Sequence, residues 1–126
     1  MPGSTAPPNG SIVWRDLTVP DAQVVRRFYA EVVGWRSEPL EGDFNMFAEG
    51  AAAPEAGICY ARGPNAKLPP QWLIYITVPD IDRCVATATA LGGRVIDGPR
   101  SAGNGRTCVI ADPAGAIAAL FQTGPG

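Results

Sequence analysis

A four-residue motif occurs twice in this 126-residue chain, and its spacing constrains the fold more than any other feature. Thr18-Val19-Pro20-Asp21 returns 59 residues later as Thr77-Val78-Pro79-Asp80, and Gly34 and Gly93 keep the same interval. In each copy an apolar segment precedes the motif and a helix-like segment follows it. Because two copies are too few for a solenoid, the spacing predicts a duplicated unit folded on itself, with a cleft between its halves.

The order of apolar segments and turn residues predicts β-α-β-β-β in each half. Asp21 and Asp80 can cap the two helices at their N-termini, and Gly34 and Gly92-Gly93 can end them. The first helix is predicted to carry one apolar stripe, formed by Val25, Phe28, Tyr29 and Val32. Strands are predicted at residues 11–19, 36–40, 44–48, 57–61, 71–78, 94–97, 106–111 and 116–121.

These elements predict one domain over residues 11–126, with a first module at about 11–63 and a second at about 71–122. Residues 1–10 lack the basic start and apolar centre of a signal peptide and are predicted to be a disordered lead. The glycine-rich stretch 99–105 is predicted to be a loop, either a mobile flap or a simple turn.

Charge and composition exclude several classes of function. The net charge is −2 and the ten basic residues form no run, so we expect no nucleic-acid partner. No apolar stretch approaches the roughly 18 residues of a membrane span, so we expect no membrane partner. Three widely spaced cysteines are typical of small buried hydrophobes in a reducing cytoplasm. The absence of histidine removes both the commonest metal ligand and the commonest general base.

The doubled pattern resembles the vicinal oxygen chelate superfamily, which includes glyoxalases, fosfomycin- and bleomycin-resistance proteins, extradiol dioxygenases and methylmalonyl-CoA epimerase. The resemblance covers residues 12–122 and implies an α+β fold, in which two tandem βαβββ modules form a half-open mixed β-barrel with helices outside. It also implies a homodimer. The residues that carry it are Val19-Pro20-Asp21, Phe28-Tyr29, Val33-Gly34-Trp35, Val78-Pro79-Asp80, Gly92-Gly93 and Asp112-Pro113-Ala114-Gly115.

Members of this superfamily hold a divalent metal with His, Glu or Gln at fixed strand positions. The resemblance places those positions at Trp14, Leu73 and Ala119, with a fourth between Ile58 and Tyr60. Indole, isobutyl and methyl groups have no lone pair to offer a cation. A single remaining ligand could not hold zinc, which takes three or four. We therefore expect no metal and no cofactor.

The former metal positions point into the concave face of the barrel in this superfamily, so the resemblance also predicts a ligand pocket. Such a pocket would be apolar and aromatic with a few polar groups, as small-molecule sites usually are. The alternative is that the same side chains pack the barrel shut. The predicted pocket residues are Trp14, Asp16, Thr18, Phe44, Met46, Leu73, Tyr75, Thr107 and Val109.

Asp16 and Tyr75 are the candidate catalytic residues of this pocket. A carboxylate beside Trp14 and Tyr75 would be partly desolvated, which would raise its pKa toward the range of a general base. Tyr75 could then orient a substrate oxygen or stabilise an enolate. The alternative for Asp16 is a pairing with Arg15, Arg106 or solvent at the barrel rim.

Three functions from different classes remain open. The first is a metal-free protein of the bleomycin-resistance type that binds a hydrophobic or aromatic compound. The second is a cofactor-independent enzyme, such as an isomerase, lyase or cyclase, with Asp16 as acid and base; a metal-dependent lyase or dioxygenase would follow if the ligand positions were misassigned. The third is a fold retained for dimerisation or interaction alone.

Overall fold

The computed structural model describes residues 6–124, which form two α-helices, eight strands and one 3₁₀ turn. The predicted α+β class and the βαβββ order of each module are confirmed. The elements are β1 (Ile12–Val19), α1 (Ala22–Val33), β2 (Arg36–Leu40), β3 (Asp43–Phe47), β4 (Ala56–Tyr60), the 3₁₀ turn (Gly63–Asn65), β5 (Trp72–Thr77), α2 (Ile81–Ala90), β6 (Arg94–Ala102), β7 (Gly105–Ala111) and β8 (Ile117–Thr123).

The chain divides into two compact units whose bounds differ from those of the predicted modules. The first unit comprises residues 14–73, and the second comprises residues 74–124 together with residues 6–13. The N-terminal segment belongs to the second unit because Gly10 N–H donates to the Thr77 carbonyl (2.8 Å) and Thr77 Oγ1 donates to the Pro8 carbonyl (3.1 Å). The predicted disordered lead therefore does not extend to Gly10; residues 1–5 lie outside the described residues.

Both helices begin at the predicted caps. Asp21 Oδ1 accepts from Val24 N–H and Asp80 Oδ1 from Arg83 N–H, each at 3.2 Å. These bonds satisfy amide groups that the first helical turn leaves without an intrahelical partner. Gly34, at a φ of 79°, ends α1 in the left-handed conformation that glycine adopts without steric cost.

The sheet of the first unit has the strand order β2-β3-β4-β1, with β1 and β4 parallel and the other pairs antiparallel. Its core lies between this sheet and α1 and contains Leu17, Val19, Ala22, Met46 and Ile58.

The predicted apolar stripe of α1 is only half right. Val25 and Tyr29 pack against the core, whereas Phe28 and Val32 are 55% and 61% exposed. The buried face is rotated toward Arg26, whose guanidinium lies 5.1 Å from the centre of the Phe44 ring. A long side chain with an apolar stem can cover the core in this way. A charged residue in α1 therefore does not by itself show which face of the helix is exposed to solvent.

The sheet of the second unit has the order β5-β8-β7-β6, with β5 and β8 parallel. Ile81, Cys108 and Leu120 form its core beneath α2. The predicted loop at 99–105 is wrong for most of its length, because β6 continues to Ala102 and turns directly into β7 at Gly105. Pro99 is tolerated because β6 is the last strand in this order and its register shifts around that residue.

Candidate functional site

The candidate site of the first unit lies on the face of β1 that is turned away from α1. Leu17 and Val19 belong to the core beneath α1. Successive side chains of a strand point to opposite faces, so Trp14, Asp16 and Thr18 lie on the other face, as the sequence predicted. The parallel register with β4 places Gly57 beside Asp16 and Cys59 beside Thr18.

Trp14 and Asp16 form a hydrogen-bonded pair on this face. The indole Nε1–H donates to Asp16 Oδ1 at 2.9 Å, and both side chains are half-buried. A Cβ atom added at Gly57 would lie far inside van der Waals contact with Asp16 Oδ1 and 3.4 Å from Cζ2 of Trp14. The carboxylate is therefore held between the indole N–H and the bare backbone of Gly57.

Gly57 was not identified from the sequence as a site residue. A glycine inside a strand often marks a close approach of another group to the backbone, which is the signal that could have found it. Its φ is not in the left-handed region, so close approach, rather than backbone conformation, is the reason for glycine here.

The two arginines expected as alternative partners of Asp16 have other contacts. Arg15 Nη1 donates to the Glu55 carbonyl at 3.1 Å. Arg106 donates two hydrogen bonds to the carboxylate of Asp82, at 2.8 and 3.1 Å. The bond from Arg106 lowers the pKa of Asp82 and raises that of the guanidinium.

Cys59 carries a thiol that stays protonated. Burial, helped by the nearby carboxylates of Asp16 and Asp43, raises the pKa of this thiol to about 12. A thiolate, not a thiol, is the nucleophile and the metal ligand, so Cys59 is suited to neither role at neutral pH.

The residues at the former metal positions do not fit a divalent cation. The side chains of Trp14, Leu73 and Ala119 have no lone pair that could coordinate a cation, and Leu73 and Ala119 are 1% and 0% exposed. Within residues 6–124 no three His, Cys, Asp or Glu side chains are grouped closely enough to hold a metal ion.

The remaining predicted site residues lie on one face of the second unit. The strand register places Tyr75 beside Ala119 and Ala119 beside Val109, and likewise Thr77 beside Phe121 and Phe121 beside Thr107. The alternate positions contact α2, so this row faces away from the helix as predicted. Tyr75 and Thr107 are half-buried, whereas Thr77 and Val109 are 7% and 4% exposed.

An ion pair on the same face was missed. Asp97 lies opposite Val109 and Arg100 opposite Thr107 in the register of β6 and β7. Arg100 Nε donates to Asp97 Oδ2 at 3.1 Å, and Asp97 is only 8% exposed. The sequence does contain an acidic and a basic residue three positions apart, but the predicted loop at 99–105 separated Arg100 from the strand that carries Asp97.

Phe44 and Met46 were assigned to the wrong face of the first unit. Phe44 lies opposite Ile58 and Met46 opposite Ala56, and both side chains pack into the cluster beneath α1. Residues directly opposite each other on paired strands share a face, so neither lies beside Trp14 and Asp16. Asn45, opposite Gly57, takes that position instead.

The three cysteines are free thiols, and Cys108 is buried in the core of the second unit. Among the described residues no helix combines the length and apolar character that a membrane crossing requires.

Comparison with known proteins identifies the family. The family described as "Glyoxalase-like domain" matches residues 12–121. "Putative glyoxylase CFP32" of Mycobacterium bovis is 31% identical over 121 residues, covering 92% of this chain and 45% of its own length. "Anthracycline biosynthesis protein DnrV" of Streptomyces peucetius is 31% identical over 131 residues, covering 91% of this chain and 48% of its own.

The chain thus spans about half the length of the curated relatives it matches. Among solved structures, a glyoxalase/bleomycin resistance protein/dioxygenase superfamily member from Vibrio splendidus aligns with a TM-score of 0.58 at 15% identity. That alignment covers 89% of this chain and 99% of the other, and it supports the fold alone. The chain belongs to the glyoxalase-like family of the vicinal oxygen chelate superfamily.

Proposed function

We propose that this protein binds a hydrophobic, planar aromatic small molecule without a metal ion, on the face of the first unit that carries Trp14 and Asp16. The observation that supports this most is the Trp14–Asp16 hydrogen bond over Gly57. It places an aromatic surface and an oriented carboxylate side by side. A ligand pocket needs this combination of apolar area and a few fixed polar groups.

The polar groups of this face suit a ligand with hydroxyl substituents. A carboxylate has about four acceptor positions, so the carboxylate of Asp16 can accept from more than one donor, including a ligand hydroxyl. The amide of Asn45, half-buried beside Gly57 in the adjoining strand, offers both a donor and an acceptor.

A relative supports the aromatic character of the ligand. DnrV is named for anthracycline biosynthesis, and anthracyclines are polycyclic aromatic compounds with hydroxyl groups. Binding to such a scaffold would use the indole face of Trp14 for stacking and Asp16 for orientation.

A second candidate function is cofactor-independent catalysis with Asp16 as acid and base. It is favoured by the orientation of the carboxylate, since a general base must be held within hydrogen-bonding reach of the proton it removes. Tyr75 remains the candidate second catalytic residue, on the face of the second unit described above. If the protein is an enzyme, Asp16→Asn abolishes turnover; if it only binds its ligand, the same variant retains binding with altered affinity.

The binding proposal is tested with 1,8-dihydroxyanthraquinone as the probe and EDTA in the buffer. Binding to the folded state raises its melting temperature, so we expect a saturable rise for the wild type, a smaller one for Asp16→Asn and none for Trp14→Ala. Glu49→Gln, at an exposed carboxylate of the same unit, is the matched control and should respond like the wild type. An unchanged response in Trp14→Ala, or a response only after a divalent cation is added, would contradict the proposal.

A further inference from the structure

The second unit has a groove between α2 and the sheet, and it shares no lining residue with the site at Trp14 and Asp16. The groove is open, has a volume of about 520 Å³, and lies between α2 and strands β7 and β8. We call it the α2 groove; Arg83, Cys84, Thr87 and Ala88 line it from the helix, and Ile110 and Leu120 from the sheet.

The sequence repeat explains why this groove exists. Positions 59 apart are equivalent in the two helices: Asp21 and Asp80 are both N-caps, and Ala22 and Ile81, which follow them, are both fully buried. By the same interval Cys84 of α2 corresponds to Val25 of α1.

The most important equivalence pairs Ala88 with Tyr29. In the first unit the Tyr29 ring packs with its centre 5.7 Å from that of Trp35 and 5.4 Å from that of Trp72, and its hydroxyl accepts from Trp72 Nε1 at 3.0 Å. In the second unit a methyl group stands at this position.

The sheet side has lost volume as well. Phe44 lies opposite Ile58, which pairs with Leu17. Cys108 lies opposite Leu120, which pairs with Ile76, the residue 59 after Leu17. A thiol therefore replaces a phenyl ring. Protein interiors are close-packed. The second unit has smaller side chains at Cys84 and Ala88, which line the groove, and at Cys108, which is buried beneath it. The same architecture therefore leaves open space where the first unit has aromatic rings.

One end of the groove is charged. Arg83 takes the place that Val24 has in α1, and within residues 6–124 its guanidinium makes no ion pair. Asp80 lies at the same end, but its Oδ1 accepts from the backbone of Arg83 as the helix cap. An exposed guanidinium beside an apolar groove is complementary to a planar carboxylate, which it can bind through two hydrogen bonds.

We propose that the α2 groove binds a small aromatic carboxylate. The ring occupies the space that Tyr29 fills in the first unit, against Ala88, Ile110 and Leu120, and the carboxylate lies at Arg83. The volume is within the range of about 300–1,000 Å³ that is typical of small-molecule sites. This site is independent of the one proposed at Trp14 and Asp16.

The test is an isothermal titration of the protein with 2-naphthoate, with amide chemical shifts to locate the binding. Ala88→Phe places a ring of the protein itself in the groove, and we expect it to weaken binding by at least about tenfold. Ala86→Phe makes the same change at an exposed position of α2 that does not line the groove, and it should bind like the wild type.

The charge is tested separately. Arg83→Gln should weaken 2-naphthoate binding about five- to tenfold, the loss expected for one solvent-exposed charge-assisted contact, and should leave binding of the neutral 2-naphthalenemethanol unchanged. Arg27→Gln, at an exposed arginine of α1, is the control and should change neither.

Three outcomes would overturn the proposal. One is that Ala88→Phe binds 2-naphthoate as the wild type does. Another is that the wild type does not bind 2-naphthoate but self-associates in a way that Ala88→Phe abolishes, which would make the occupant a side chain of another copy. Binding that is lost in Trp14→Ala but kept in Ala88→Phe would place the ligand at the other site and would also refute it.

Discussion

Replacing Gly57 by alanine tests the geometry of the candidate site directly. The new Cβ would overlap Asp16 Oδ1 but would make only an ordinary contact with Trp14, at 3.4 Å from Cζ2. Asp16 must therefore move, and its hydrogen bond from the indole is lost. Since the φ of Gly57 is not left-handed, alanine strains the backbone very little.

The size of the effect follows from two opposing contributions. Loss of a hydrogen bond to a charged, half-buried group costs about 1.5–3 kcal/mol of unfolding free energy. Alanine is favoured over glycine in a strand by about 0.5–1 kcal/mol. The net destabilisation is about 1–2 kcal/mol, which for a chain of this size lowers the melting temperature by about 4–8 °C.

The decisive assay is a double-mutant cycle with Asp16→Ala, measured by urea unfolding. In the absence of the carboxylate the same Gly57→Ala substitution should be neutral or slightly stabilising. The coupling energy between the two substitutions should be about 2 kcal/mol. Substitutions at independent sites have coupling energies below about 0.5 kcal/mol. If Gly57→Ala has the same effect in both backgrounds, Asp16 does not lie over Gly57 and the reasoning is wrong.

Three further predictions concern single residues. The pKa of the Cys59 thiol is raised from 9.0 to about 12 in the folded state, so as pH rises the unfolded chain releases this proton before the folded chain does. Between pH 9.0 and about pH 12 the unfolding free energy should therefore fall with pH more steeply than in Cys59→Ser, by about 1.4 kcal/mol per pH unit. Gln122 Oε1 accepts from the buried N–H of Ile81 at 2.7 Å, so Gln122→Leu should destabilise the fold by about 1–3 kcal/mol in urea unfolding; a change below experimental error would contradict this bond. Trp72→Phe removes the donor to the Tyr29 hydroxyl, and we expect a loss of about 1 kcal/mol by the same measurement, whereas Trp72→Phe in a Tyr29→Phe background should cost less.

The repeat predicted the order of the helices and strands because each copy contains residues that determine local structure. An aspartate that caps a helix and a glycine that ends it act within a few residues, and Asp21, Gly34 and Asp80 do so as expected. Trp14 and Asp16, which the resemblance assigned to one pocket, do lie on one face, because residues two apart in a strand point the same way.

The repeat failed where its period changes. Gly34 and Gly93 are 59 residues apart, but Phe44 and Cys108, which hold equivalent places in their sheets, are 64 apart. A shift by an odd number of residues moves a side chain to the opposite face of a strand. Phe44 and Met46 stand 63 residues before Thr107 and Val109, one residue short of the interval of 64, so they lie on the opposite face and are core residues.

Other features depend on contacts that no local pattern contains. The hydrogen bond between Trp14 and Asp16 was not evident from their shared face, and Gly57 gains its importance only from the parallel pairing of β1 with β4. The Asp97–Arg100 pair arises because β6 runs on through Pro99, where the sequence indicated a loop.

The central claim, metal-free binding of an aromatic ligand at Trp14, is tested most directly by the indole N–H resonances. The chain has three tryptophans, so a proton–nitrogen spectrum should contain three such peaks, and Trp14→Phe identifies the one that is hydrogen-bonded to Asp16. With EDTA present, 1,8-dihydroxyanthraquinone is expected to shift that peak saturably. If the Trp14 peak stays in place, or moves only when zinc is supplied, the claim is contradicted.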